Sequence, residues 1–244
     1  MTEVNEKRFL VANKTTNTFE LTNKDGTNIN STNFTTYTSG GIVNKVFEIT
    51  TTYTTDELFD IKFVQSADVM YLCHPAHPPA KLSRTGDISW TLADVEFTKG
   101  PFQDANITTT TLTPASAAVG TGVDITASAI TGINGGVGWL STDVGRQIYF
   151  NSGYAVITAR TSATVAVATI TTAFTNTNAI TAWQLGSFSD TTGFPSCVTF
   201  FEQRLGFAGT TNQPQTVFFS KSGDYENMDA NIGGTVADSD ANIY

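Results

Sequence analysis

The sequence predicts an all-β protein, and three observations carry that expectation. Threonine is the commonest residue, 43 of 244, and its branched Cβ suits strands. The 17 Asn and 20 Gly supply residues that accept tight-turn geometry. Apolar residues alternate with polar ones over many short segments, whereas helix-period runs are scarce. The expected architecture is an antiparallel meander or propeller-like host domain with a small inserted β-barrel or sandwich module.

The elements follow in chain order. Arg8-Phe9-Leu10-Val11 and Thr18-Phe19-Glu20-Leu21 read as short strands separated by Asn13 and Asn17, and Asn23-Lys24-Asp25-Gly26 reads as a turn. Val43 to Thr50 alternates, with Val43, Val46 and Ile49 interrupted by Lys45 and Glu48, and is expected to be a strand. Thr54-Thr55-Asp56-Glu57-Leu58-Phe59 places a threonine three residues before a glutamate, the capping box of one short helix. Val69 to Cys73 is continuously apolar, as in a strand buried on both faces. Gln147–Phe150, Ala155–Thr158 and Thr164–Ile170 are three further strands, the first two joined by a tight turn at Asn151-Ser152-Gly153. Val198, Phe200, Leu205 and Phe207 flank a polar break at Glu202-Gln203-Arg204, and Val217-Phe218-Phe219 adds a strand to that meander. Leu205 and Phe207 are expected to face the core. Arg204 reads either as half of a local ion pair with Glu202 or as part of a solvated turn.

Charge divides the chain into parts. The net charge of −9 is made up of −3 over 1–103, −1 over 104–186 and −5 over 187–244. The middle part is rich in Thr, Ala and Gly and contains neither His nor Cys. Such an island suggests a small domain inserted into a host, with its edges Asp104 and Gly186 close together. The acidic balance argues against a nucleic-acid-binding module, which needs clustered Lys and Arg. No apolar run approaches the ~20 residues of a membrane helix.

Chemical motifs are sparse. Cys73-His74-Pro75-Ala76-His77 is the sole Cys/His cluster, and Cys197 or Asp68 would have to complete a zinc set around it. The prolines Pro75, Pro78 and Pro79 favour a connecting loop instead, so no metal and no cofactor are expected, and a chelator should leave the melting temperature unchanged. Cys73 and Cys197 read as two buried thiols. Gly132-Ile133-Asn134-Gly135-Gly136 lacks the Lys and Ser/Thr of a phosphate loop. The acids Asp224, Glu226, Asp229, Asp238 and Asp240 fit no ordered calcium loop and read as a solvated acidic face. Trp90, Trp139 and Trp183 offer sugar-stacking surfaces or, more ordinarily, core anchors. No nucleophile elbow is present, and no catalytic residue is assigned.

Three stretches resemble tail proteins of short-tailed bacteriophages, the family of tail nozzle, tail tubular protein B and tail stabilisation proteins. The first is Phe34-Thr35-Thr36-Tyr37-Thr38-Ser39-Gly40-Gly41 with Thr50-Thr51-Thr52-Tyr53-Thr54, Leu58 and Gln65-Ser66-Ala67-Asp68-Val69-Met70. The second runs from His74 through Leu82-Ser83-Arg84 to Trp90-Thr91-Leu92 and Gly100-Pro101-Phe102. The third holds Phe194-Pro195, Val198-Thr199-Phe200, Gln203-Arg204-Leu205 and Phe207-Ala208-Gly209-Thr210, then Pro214-Gln215-Thr216 and Ser220-Lys221-Ser222-Gly223-Asp224-Tyr225-Glu226-Asn227. Thr52 and Met228 depart from the family pattern, which often has Pro and Phe there. Residues 1–38 and 104–186 are similar to small β modules of such proteins that resemble the first catalytic-cysteine half domain of ubiquitin-activating enzymes. In the second module the likeness rests on Leu140-Ser141-Thr142-Asp143-Val144-Gly145-Arg146 and Ala155-Val156-Ile157-Thr158. Neither module contains a cysteine, so no ubiquitin chemistry follows.

The resemblance implies four parts: 1–38, a partial β module; 39–103, the first part of the host; 104–186, the insert; and 187–244, the second part of the host. It also implies an internal piece of a longer protein or a truncated gene product. The expected function is a non-enzymatic structural component of a phage tail, in a homo-oligomeric ring beside other tail proteins, with DNA passing through without specific binding. Its place would be the virion, after assembly in the host cytoplasm. The alternative is a glycan-binding tail or cell-surface module. A polysaccharide-cleaving tailspike is disfavoured, because the island holds three acids where a paired-carboxylate cleft would be needed. On the nozzle reading, Glu226, Asp229, Asp238 and Asp240 would face the lumen, nearer the axis than Lys7, Arg8, Lys14 and Lys24.

Overall fold

The computed structural model describes residues 1–244 apart from Lys45 and Gly233. It is all-β, with every paired strand antiparallel and helix confined to three single 3₁₀ turns among the described residues. The chain divides into two compact units, Met1–Phe47 and Glu48–Tyr244.

In the first unit β1 (Leu10–Ala12) pairs with β2 (Glu20–Thr22). Both strands lie slightly later than their sequence patterns suggest. Asp25 Oδ1 accepts from the Thr27 N–H at 2.9 Å, and Gly26 takes φ +84°, which forms the expected turn. The Glu3 carboxylate accepts from the Thr35 N–H and hydroxyl at 3.0 and 2.9 Å, and the Thr35 amide, first, holds its pKa down at about 2. The alternating run Val43–Thr50 forms no strand among its described residues, and Lys45 lies outside them. Val43 is 84% exposed. Alternation there meets no neighbouring strand, and an unpaired extended segment leaves its backbone to water.

The second unit holds a host and an insert. The host's first sheet is the meander β3 (Lys62–Ser66), β4 (Val69–His74), β5 (His77–Gly86) and β6 (Ser89–Asp94). Its second is the meander β13 (Cys197–Phe201), β14 (Arg204–Ala208), β15 (Val217–Phe219) and β16 (Asn242–Ile243). Each has the sequential order of a propeller blade. The two share one core, built from Tyr71, Cys73, Leu205, Phe207, Val95 and Met228. Leu205 and Phe207 are buried as expected, at 0% and 1% exposure. β4 is not buried on both faces: Tyr71 and Cys73 point into the core, while Met70 and Leu72 are half-buried. Glu202 and Gln203 both take positive φ, 46° and 61°, in the two-residue turn between β13 and β14. The polar break in the sequence is therefore a hairpin loop.

The insert is one six-stranded sheet, ordered β12 (Trp183–Leu185), β9 (Gln147–Phe150), β10 (Gly153–Arg160), β11 (Val165–Thr172), β8 (Gly120–Ala127) and β7 (Leu112–Pro114). Three of these strands match the expected segments, and Asn151 and Ser152 make the expected turn with φ 49° and 59°. The sheet curls until its edges meet: Leu112 exchanges both backbone hydrogen bonds with Ile180, just before β12. The sheet is thus a half-barrel whose edges touch at that one bridge, which covers part of an otherwise open edge. Inside stand Ile125, Ile148, Phe150, Ile157, Ile170 and Trp139, each at most 1% exposed.

The insert's two ends run side by side. Phe102 bridges Gly186, the Gln103 N–H donates to Leu185 O at 2.8 Å, and the Ser187 N–H donates to Pro101 O at 2.8 Å. Paired residues in such a bridge lie about 5 Å apart, so a short linker can span the gap. Among the described residues, the host core contains no side chain from the insert. Deleting 105–185 and joining the ends with a Gly/Ser linker is expected to leave a soluble host that retains its β circular dichroism. A product that is aggregated or has lost that signal contradicts an autonomous insert.

Candidate functional site

Three groupings of polar side chains stand out, and each is assembled from distant segments. The first lies at the root of the insert. Arg146 is 1% and Asp143 0% exposed, and their side chains pair at 3.0 Å. The Arg146 guanidinium also donates to Gly186 O at 2.8 Å, to Asn134 Oδ1 at 2.7 Å and to Gln103 Oε1 at 2.8 Å. The other Asp143 oxygen accepts from the Leu140 N–H at 2.8 Å and the Asn134 amide at 2.7 Å. Burial pulls the Arg146 pKa down, and Asp143 opposes that. Gln103 precedes the insert and Gly186 ends it, so one guanidinium clamps both. The stretch Leu140–Arg146 is thereby an architectural joint. The module also docks on the host: the Gln147 amide donates to Phe97 O at 2.6 Å, and the Tyr149 hydroxyl donates to Ile232 O at 2.9 Å.

The second grouping is the acidic C-terminal region, and it corrects the solvated face expected there. Glu226 pairs with Lys81 at 2.5 Å and accepts from the Tyr71 hydroxyl at 3.0 Å. Asp229 lies 3.3 Å from Lys99, and Asp240 lies 3.1 Å from Lys221. Asp240 is buried, and the Ala237 amide, ahead of Lys221, holds its carboxyl below the usual range. Only Asp224 and Asp238 of the five are exposed. Arg204 is buried too and forms neither reading expected of it. Its guanidinium donates to the backbone carbonyls of Ser220, Asp238 and Asp240, tying the last segment to β14.

The third grouping surrounds the hairpin turn at Pro75-Ala76. His74 and His77 face each other across that turn, one ending β4 and the other opening β5. Cross-strand partners share a sheet face, so the two rings come together, with centroids 5.2 Å apart. Glu57 reaches them from the 3₁₀ turn Glu57–Phe59, and its Oε2 lies 3.1 Å from His77 Nε2. Glu57 Oε2 also accepts from the Thr54 N–H at 2.8 Å and the Thr54 hydroxyl at 2.9 Å, which is half of the expected capping box, since the Glu57 N–H donates to Thr54 O at 3.2 Å and Asp56 takes the N-cap position. These Thr54 bonds, with His77 adding, hold the Glu57 pKa down at about 2. Tyr53 covers the pair, its ring 5.0 Å from His77, and burial pushes its phenol up to about 12.

The cluster differs from the set weighed from sequence. Cys73 is not part of it: the thiol is buried, its Sγ lies 3.8 Å from Cys197 O, and burial pushes its pKa up. Cys197 is exposed, contrary to its reading as a buried thiol. Asp68 pairs with Arg84 at 3.3 Å. Glu57 takes the third place, and its capping-box spacing gave no hint of a second role.

Trp139 and Trp183 are core residues at 0% and 3% exposure, so neither offers a sugar platform. Trp90 is half-buried, with the Arg84 guanidinium 5.9 Å from its ring centre. A cleft of about 480 Å³ beside the insert is lined by Gln103, Asp104, Asn106, Asn134, Thr191 and Asn212 among others, and only the buried Trp183 brings an aromatic ring to it. Among the described residues no helix is long and apolar enough to cross a membrane. No family model matches the chain, and no curated protein matches it.

Proposed function

We propose that this protein is a non-enzymatic structural component of a phage tail, a wall segment of the nozzle ring through which DNA passes. The observation that carries the reading is where the motif residues are spent. Asp143 and Arg146 clamp the root of the insert, Arg204 ties down the last segment, and Glu226 joins Lys81 of the first meander to the second. Residues of the resembling stretches thus serve joints between segments. The two blade-like meanders and the half-barrel insert suit a protein whose role is shape.

The acidic balance supports passage of DNA without capture, since phosphate binding needs unpaired Lys and Arg. On this reading Glu226, Asp229 and Asp240 bring carboxylates already paired with lysines, and Asp238 brings an exposed one. Negative-stain microscopy of the full gene product is expected to show a symmetric ring, and a gel-shift assay at low salt no DNA retention. A monomer whose isolated 104–186 module binds a glycan array would replace this reading with an adhesion role.

A further inference from the structure

We propose that Glu57, His74 and His77 form a binding site for a divalent transition-metal ion of the zinc class. Their ligating atoms all lie within 4.8 Å of one another. Two imidazoles and one carboxylate are a recurrent zinc donor set, which leaves a fourth position for water. Ligands bonded to a tetrahedral ion at about 2.0–2.1 Å stand roughly 3.3 Å apart, close to the 3.1 Å between Glu57 and His77. That short approach is not a hydrogen bond: His77 Nε2 is buried and has no aligned partner among the described residues. The Tyr53 hydroxyl, on the ring 5.0 Å from that of His77, is also buried and without a partner among the described residues. A cation held between the carboxylate and the imidazoles gives His77 Nε2 the aligned partner that it otherwise lacks.

The supporting shell is in place. Thr54 fixes the Glu57 carboxylate with two hydrogen bonds, as the donors around metal ligands do. The two-residue turn fixes the spacing of the imidazoles. His77 and Glu57 side chains keep 22% and 25% exposure, which gives an ion a path in. His74 Nδ1 accepts from the Ala76 N–H at 3.2 Å, which places the neutral ring's proton on Nε2. Ligation through Nε2 would shift that proton to Nδ1, which would then no longer accept from the Ala76 N–H. The bound ion would staple the Glu57–Phe59 turn to the tip of the β4–β5 hairpin, a structural role that requires no catalysis.

The test uses the whole chain, stripped with a chelator and titrated with zinc alone by calorimetry, with cobalt(II) absorption as a spectroscopic readout. One ion per chain is expected, with a rise of several degrees in melting temperature that the chelator reverses. His77→Ala and Glu57→Gln, at partly exposed positions, should each weaken binding by at least about tenfold while circular dichroism stays unchanged. Cys197→Ser should leave binding intact, because the exposed Cys197 is the competing adventitious ligand. No binding, binding that survives both His77→Ala and Glu57→Gln, or binding lost in Cys197→Ser overturns the site.

Discussion

Arg146→Ala is expected to lower the unfolding free energy by about 3–5 kcal/mol, the cost of leaving a buried charge without its partner. Asp143 would remain at 0% exposure with its countercharge gone. Gln103 Oε1 and Gly186 O would lose their donor as well, so damage should concentrate at the root of the insert. Urea unfolding measures the loss, and limited proteolysis should report new cleavage near 103 and 186. The double variant Asp143→Asn with Arg146→Met should recover part of the stability, since neither charge is then stranded. A cost below about 1 kcal/mol for Arg146→Ala would mean that the clamp is not formed.

Phe207→Ala is expected to cost about 3–5 kcal/mol, the range for emptying a fully buried aromatic site. Phe207 sits at 1% exposure on β14, with register partners Val198 and Phe218 on its two sides. The rings of Phe97 and Phe188 stand 5.4 and 6.1 Å from it, mostly edge-on, so truncation also removes aromatic contacts. Phe201→Ala, at 58% exposure on the outer face of β13, is the matched control and should change stability by no more than about 0.5 kcal/mol. Equal effects at the two positions would show that the strand's inward face had been assigned wrongly.

Strand positions in the insert were readable because each signal there is local. Gln147–Phe150 alternates, Asn151 and Ser152 accept positive φ, and Val165–Thr172 alternates again, so pattern and turn agree. Val43–Thr50 carries the same alternation and forms no strand, because a strand also needs a neighbour to pair with. The contact between Thr54 and Glu57 was readable for the same local reason, but only half of the capping box forms, and a single 3₁₀ turn with Asp56 at its N-cap follows it. The capping residue's approach to His77 was not readable, since the two lie on different elements.

By itself the sequence determined the all-β class, the compositional island at 104–186 and the inward face of β14, because composition and period-2 patterning express backbone preference and burial directly. Tertiary structure decided the rest. Lys81 meets Glu226 across 145 positions, Arg146 gathers Gln103 and Gly186 from either side of the insert, and Glu57 joins two histidines from another turn. The physical reason is that a charged group reads as solvated until the chain folds around it. Its energy then depends on which distant partner offsets desolvation, and neither composition nor spacing records that choice.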